Sequence, residues 1–187
     1  DVVLLVTEPT PFGLNDLRLA VEMVRALGVP FGVAINRAGT GDNSVFEFCA
    51  DEQIPILLTI QDDREIARAY SRGELAVAAL PDLKPLFVDL HGKLHDLARS
   101  ETPRRAGIQV LPLSESPDSG RPPSELLQPD QRSEIKELVV ISGKGGTGKT
   151  SIVASFSALA GQAVVADCDV DAADLHLALG PTVRQRW

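Results

Sequence analysis

The sequence has little cysteine and no long apolar run, and both shortages exclude classes of protein. Its two cysteines, Cys49 and Cys168, cannot form a disulfide framework, and no CxxC pair is present to bind zinc or an iron–sulfur cluster. Two isolated thiols are compatible with a reducing cytoplasm, which is the expected location. No stretch is long and apolar enough to span a bilayer, and no signal peptide is visible.

Positive charge is also scarce, since 18 lysines and arginines stand against 26 aspartates and glutamates, for a net charge of -8. Such a chain gives no direct signal of nucleic-acid binding, which normally requires a basic surface. A local positive field can still bind a nucleotide. With 187 residues, 44% of them hydrophobic, the chain can form one globular domain or two partial domains joined by a linker.

The first hundred residues alternate between strand-like apolar runs and segments with helical spacing. Val2–Val6 is a continuous apolar run typical of a buried parallel strand. Leu14–Leu27 has apolar residues at helical spacing, and Gly28 and Pro30 end that helix. The later elements are strands at Phe31–Ile35 and Ile54–Ile60, and helices at Val45–Cys49, from Asp62 or Asp63 to about Arg72, and at Leu83–Ala98. This order predicts an α/β fold with a parallel sheet.

Residues 101–136 differ in composition and divide the chain. They are rich in proline and serine and predict a flexible linker, in which Ile108–Leu113 could form a short strand. The elements predicted after the linker are a strand at Leu138–Ser142, a loop at Gly143–Gly148, a helix at Lys149–Ala160, a strand at Ala163–Asp167 and a helical segment at Ala172–Leu179. We therefore divide the chain into residues 1–100, 101–136 and 137–187.

The glycine-rich segment Gly143–Thr150 matches the phosphate-binding pattern G-x-x-x-x-G-K-[ST]. Its glycines allow a tight turn that aims backbone N–H groups at phosphate oxygens, and the following helix adds the positive end of its dipole. Lys149 is expected to reach the β- and γ-phosphates, and the Thr150 hydroxyl to complete a Mg²⁺ shell. A structural turn with chance lysines is disfavoured, because an apolar strand precedes the loop and an apolar helix follows it.

The same loop resembles the variant phosphate-binding loop of the MinD, ParA, Mrp and nitrogenase-iron-protein superfamily of ATPases. Val164–Leu175 resembles the second motif of that superfamily. The resemblances in the first half are Asp1–Asp16 to the segment after switch II, Val33–Arg37 to the strand whose last asparagine binds the base, and Ile60–Glu74 to the lining of the base pocket. The sequences of Thr7–Leu17 and Asp167–Leu175 most resemble the subgroup with a ferredoxin insert.

This resemblance implies a P-loop NTPase-type parallel sheet flanked by helices, assembled from two partial domains. Residues 1–100 resemble the C-terminal half of a MinD-like ATPase domain, and residues 137–187 the N-terminal half of a second one. Either the chain is the junction of two tandem domains or it is a circular permutant. The linker favours the junction, as do the ends at Asp1 and Trp187, which we interpret as those of a fragment.

The strand that carries switch II in the family has no counterpart in this order. In the family's sheet that strand lies beside the loop strand, whose other neighbour corresponds to residues 2–6. Residues 2–6 and 138–142 could therefore still pair within this chain, which would leave the Ala163–Asp167 strand without its usual neighbour. An iron–sulfur cluster is expected only in a full-length protein, since this chain has no ligands for one.

The resemblance also assigns roles to individual side chains. Lys144, which spacing alone would make a solvated surface charge, would reach across a nucleotide-bound dimer to the partner's phosphates. Asp169 is favoured over Asp167 to hold Mg²⁺ or position the attacking water. The expected catalytic residues are Lys144, Lys149 and Asp169, and the expected metal ligands are Thr150 and Asp169. The expected nucleotide contacts are Gly143, Lys144, Gly145, Gly146, Thr147, Gly148, Lys149, Thr150, Ser151, Asn36 and Arg37.

Several remaining residues have a structural alternative. Asn36 would bind adenine through its amide, although an asparagine after a strand is as often a turn residue. Gln61 stands where the family commonly has proline, which leaves the shape of the base pocket open. Both cysteines are interpreted as packed thiols. His91, His95 and His176 are interpreted as helix-surface residues.

The leading interpretation is an ATPase that binds Mg-ATP, dimerises with a second copy or a tandem domain, and hydrolyses the nucleotide. The subgroup implies a client in iron–sulfur or metallocluster handling. A second interpretation is a nucleotide- or partner-binding module that does not hydrolyse ATP. A third is an ATP-dependent amidating synthetase of the cobyrinic-acid type, which shares this class of loop.

Overall fold

The computed structural model describes residues 1–99, 137–143, 145–160, 163–168 and 174–179, as parallel strands with helices on both faces. The first elements are β1 (Val2–Thr7), α1 (Pro11–Leu27), β2 (Phe31–Ala38), α2 (Ser44–Asp51), β3 (Ile56–Gln61), α3 (Arg64–Ser71), α4 (Ala76–Ala79) and α5 (Leu83–Arg99). They are followed by β4 (Leu138–Ile141), α6 (Lys149–Ala160) and α7 (Leu175–Leu179). The α/β class is confirmed, and the linker with its Ile108–Leu113 run lies outside the described residues.

The four strands are all parallel and lie in the order β3-β2-β1-β4. On one side of β1, Val3 is opposite Phe31 of β2. On the other side, Val2 is opposite Leu138 of β4, and the pairing continues to Leu5 and Ile141. The pairing that the order of the two halves permits is therefore present, and it makes β1 an inner strand.

The core has two layers because alternate residues of β1 face opposite sides of the sheet. Leu4 and Val6 pack in a cluster with Phe87 and Leu90 of α5 and with Ile152 of α6. Val3 and Leu5 face the other side of the sheet, where they pack in a second cluster with residues of α1, β2 and α2 that include Leu17, Val21, Val24, Val33, Ile35, Val45 and Cys49. A strand buried on both faces explains why residues 2–6 are apolar without alternation.

The helix boundaries follow from local capping. The side chain of Thr10 accepts a hydrogen bond from the Gly13 backbone, so α1 begins at Pro11, three residues before the first apolar position of the predicted helix. Gly28 ends that helix with a φ of 66°, as expected from its position. At α3, Asp63 is the capping residue of the two candidates, since it accepts a hydrogen bond from Glu65.

The prediction of a strand at Ala163–Asp167 is wrong. Residues 163–168 have no strand pairing and are exposed, and the Val164 side chain is fully in contact with solvent. A β-branched apolar run forms a strand only where a neighbour supplies hydrogen bonds, and no strand pairs with this run among the described residues. The carboxylate of Asp167 instead accepts a hydrogen bond from the backbone of Leu175, at the start of α7.

No helix in the described part of the chain is long and apolar enough to cross a membrane.

Leu4 provides a test of the sheet core, because its side chain on β1 is fully buried against α5 and α6. Replacing it with alanine should lower the free energy of unfolding by about 2–5 kcal/mol, through lost apolar burial and the cavity left behind. Leu19 on α1 is 60% exposed, so Leu19→Ala should change that free energy by only about 0.5 kcal/mol. Urea denaturation of both variants measures the difference, and equal midpoints would contradict the assigned core.

Candidate functional site

The candidate site lies at the edge of the sheet where all four parallel strands have their carboxyl ends. The chain runs outward from β1 through β2 to β3, but β4 lies on the opposite side of β1. The helices after β1 and β4 also pack on opposite faces, since α1 belongs to one core cluster and α6 to the other. Such a reversal opens a crevice at the carboxyl edge, where α/β proteins bind ligands.

The glycine-rich loop connects β4 to α6 at this crevice. Gly146 and Gly148 have φ angles of 84° and 93°, which L-residues with a side chain rarely adopt. The loop then runs directly into α6, which begins at Lys149 as predicted. The first N–H groups of this helix have no partner within it, so they and the helix dipole favour an anion here. Lys144 lies outside the described residues.

Lys149 lies over the loop rather than extending into solvent. Its ammonium group donates a hydrogen bond to the Ser142 hydroxyl, 2.9 Å away at the end of β4. The loop itself is held close to the rest of the fold, because Thr147 is buried and the backbone at Gly143 packs against Asp16 of α1. A Cβ atom at position 143 would overlap the Asp16 side chain, so this approach requires glycine.

Asn36 contacts the phosphate-binding loop directly. The side-chain nitrogen of Asn36 donates a hydrogen bond to the backbone carbonyl of Thr147, at 3.0 Å. Asn36 belongs to β2, which extends to Ala38 instead of ending at Ile35 as predicted. The predicted adenine-binding residue thus lies beside the loop, with its amide already joined to the loop backbone.

Arg37 lies next to Asn36 and forms ion pairs with two carboxylates. Its guanidinium is 3.1 Å from Asp62, after β3, and 3.4 Å from the buried Glu8, after β1. The hydrogen bond with Asp62 and the charge of Glu8 raise the pKa of Arg37, so it stays protonated. Its φ of 54° is unusual for a residue other than glycine. These contacts tie the ends of β1, β2 and β3 together.

An open cleft of about 340 Å³ connects the loop to the ends of β2 and β3. The predicted contact residues that line it are Gly145, Gly146, Gly148, Lys149, Thr150, Ser151, Asn36 and Arg37. The other lining residues come from the β3–α3 region and from the start of α7: Gln61, Asp62, Asp63, Ile66, Ala67, Tyr70 and Asp174. Gly143 and Thr147 line a separate small cavity of about 10 Å³ beside α1.

Of the acidic residues around Asp169, the described part of the chain includes Asp167 and Asp174. Asp169 lies outside the described residues, whereas Asp167 is engaged with the backbone of α7. Asp174 is half-buried and lines the cleft, a position that sequence reasoning did not assign to it. Within the described ranges, no group of three or more potential metal-ligating side chains occurs.

The two cysteines differ in environment. Cys49 is packed in the core as predicted, and burial raises the pKa of its thiol to about 11. Cys168 is exposed, so its interpretation as a packed thiol is wrong; it follows the exposed segment that does not join the sheet. His91 and His176 are exposed and His95 is half-buried on α5, in agreement with helix-surface positions.

Sequence reasoning missed the residues that join loop and sheet. Glu8 and Asp62 each follow a strand, and the parallel order of the strands indicates that their side chains lie at one edge of the sheet. The approach of Asp16 to Gly143 depends on β4 lying beside β1, a contact between residues far apart in sequence. Nothing in the local sequence around Asp16 indicates that approach.

Comparison with known proteins adds one relative. No protein-family model matches the chain, and no solved structure matches it. The chain is 36% identical over 75 residues to Uncharacterized protein MJ0579 of Methanocaldococcus jannaschii, a match that covers 40% of this chain. The matched part spans 24% of that relative's length, about a quarter. The name of that protein states no activity.

Gly148 provides a test of the loop conformation. Gly148→Ala would place a methyl group against the Asn36 amide on a backbone with positive φ, so stability should fall by about 2 kcal/mol. Gly92 on the exposed side of α5 has no neighbour that a methyl group would meet, so Gly92→Ala should be neutral or stabilising by up to about 1 kcal/mol. Equal urea midpoints for the two variants would contradict the assigned loop geometry.

The thiols provide a second test. At pH 8 in native buffer, a thiol reagent such as Ellman's reagent should modify Cys168 within minutes and Cys49 only after denaturant is added, because Cys49 is buried and its thiol stays protonated. A Cys168→Ser variant should then show almost no fast reaction. Rapid modification of two thiols per native chain would contradict the placement of Cys49 in the core.

Proposed function

We propose that this chain binds Mg-ATP at the Gly143–Thr150 loop, as part of a P-loop ATPase of the MinD/ParA kind. The observation that carries the proposal is the position of the loop: it follows a parallel strand, precedes a helix and opens on the cleft at the switch point of the sheet. A glycine-rich turn with a purely structural role does not require this position, nor a lysine and a threonine that line the same cleft.

The phosphates of the nucleotide would lie against the loop and the start of α6. The backbone N–H groups there would bind phosphate oxygens, and Lys149 would exchange its hydrogen bond with Ser142 for one with a phosphate. Thr150, half-buried in the first turn of α6, lines the cleft and would offer its hydroxyl to Mg²⁺. The ion would offset part of the phosphate charge.

The base would lie on the β2 and β3 side of the cleft. Asn36 offers an amide with both donor and acceptor atoms, as the edge of adenine requires. Ile66 and Tyr70 of α3 line the same cleft and supply apolar and aromatic surface for a ring. Gln61, the residue that departs from the family pattern, also lines the cleft and would lie beside the base.

Hydrolysis would depend on two residues outside the described part of the chain. In the proposal, Lys144 reaches the phosphates of a partner in a nucleotide-bound homodimer or tandem-domain dimer, and Asp169 holds Mg²⁺ or positions water. The two halves of the site would derive from different domains of one longer polypeptide, with residues 1–100 ending one domain and residues 137–187 beginning the next. A client in iron–sulfur or metallocluster handling remains part of this proposal.

Binding without hydrolysis is the second candidate. It is favoured by the exposed position of residues 163–168, because the acidic turn that contains Asp169 follows a segment that the sheet does not anchor. Release of inorganic phosphate from Mg-ATP separates the two candidates. Catalytic turnover supports the ATPase, whereas stable binding of intact ATP supports the binding module.

Lys149 tests the binding proposal. Lys149→Ala should weaken Mg-ATP binding by about 10- to 100-fold, because it removes a charged hydrogen bond to the phosphates. Lys84→Ala, at an exposed position on α5, is the matched control and should bind like the wild type. Isothermal titration calorimetry measures both. The proposal fails if the wild-type chain does not bind Mg-ATP, or if the two variants bind it equally well.

A further inference from the structure

Asn36 and Thr147 are 111 residues apart in the chain, yet one hydrogen bond of 3.0 Å joins the Asn36 side chain to the Thr147 backbone. Thr147 is the buried residue of the phosphate loop, with 3% of its surface exposed. The bond therefore fixes the carbonyl direction at the centre of the loop, between Gly146 and Gly148, where the backbone has positive φ on both sides.

The chemistry of the amide determines which atoms remain for a ligand. A backbone carbonyl can only accept, so the nitrogen of Asn36 must face the loop. One of its two N–H groups is used there, which leaves the second N–H and the side-chain oxygen. The edge of an adenine ring presents a complementary acceptor and donor. Asn36 can therefore contact the loop and the base at the same time.

The glycine at position 148 makes this contact sterically feasible. A Cβ atom there would overlap the Asn36 amide nitrogen, and the three nearest atoms it would meet all belong to the Asn36 side chain. The close approach of this amide and the absence of a side chain at 148 thus depend on each other. Sequence patterns explain Gly148 by the tight turn alone, whereas the structure adds the space needed by a residue of β2.

We propose that Asn36 is a positioning residue that holds the phosphate loop in its ligand-binding conformation, and that it couples recognition of the base to binding of the phosphates. The inference rests on the proposed function but goes beyond it, because a residue that only reads adenine would have no effect on ligands that lack a base. Holding the loop before the ligand arrives lowers the ordering cost of binding.

The test uses two ligands that share phosphates and differ in the base. Asn36→Ala should weaken binding of Mg-tripolyphosphate about fivefold, the equivalent of one ordinary hydrogen bond, and should weaken Mg-ATP binding by a larger factor. If Mg-tripolyphosphate binds Asn36→Ala and wild type equally well while Mg-ATP binding falls, Asn36 reads only the base and the inference is overturned. Unchanged binding of both ligands overturns it as well.

Hydrogen exchange without any ligand gives an independent readout. The amides of residues 145–151 should exchange several-fold faster in Asn36→Ala than in wild type, because the loop loses its contact with β2. Asn36→Asp should show at least the same acceleration, since it keeps the shape but turns an oxygen toward the Thr147 carbonyl. Unchanged exchange in both variants overturns the inference.

Asn15→Ala, at an exposed position of α1, is the matched control and should leave exchange and binding as in wild type. Thermal unfolding of each variant establishes that the fold is intact; if Asn36→Ala is unfolded, Asn36→Asp provides the exchange comparison. Failure of the proposed function is distinguishable from failure of this inference. If wild type binds neither ligand, the ATP proposal fails, while ligand-free exchange still decides whether Asn36 holds the loop.

Discussion

The parallel pairing of β1 with β4 brings together residues that are more than 130 positions apart, and the site is built on it. Residues from Val2 to Leu5 lie opposite residues from Leu138 to Ile141. This register sets the loop after β4 beside the end of β1 at Thr7 and beside Asn36 near the end of β2. Without that pairing, the loop would still connect β4 to α6, but it would not lie against the other strands and no cleft would form between them.

The phosphate loop and the base side of the cleft are stabilised in different ways. The loop relies on backbone geometry, namely positive φ at two glycines and the contact of Gly143 with Asp16. The base side relies on charge, because Arg37 bridges Glu8 and Asp62 at three strand ends. Asn36 is the residue that joins the two systems, through a neutral hydrogen bond that salt does not screen.

Sequence patterns predicted the parts of this structure that depend on local chemistry. The α6 boundaries, the Gly28 cap and the buried run of β1 follow from residue type and spacing, and the structure confirms them. The failed strand at Ala163–Asp167 shows where such reasoning ends, since strand formation needs a neighbour that local sequence does not reveal. The role of Asp16 was missed for the same reason, because it depends on Gly143, which the tertiary structure brings near.

The central claim is that a nucleotide occupies the cleft between the loop and the end of β2. A titration of the ¹⁵N-labelled chain with Mg-ATP, followed by two-dimensional NMR, tests it directly because each affected amide is identified. The largest shifts are expected at the backbone amides of residues 145–151 and at the side-chain amide of Asn36. Saturating Mg-ATP that leaves these signals unchanged, or that shifts only signals on other surfaces, would contradict it.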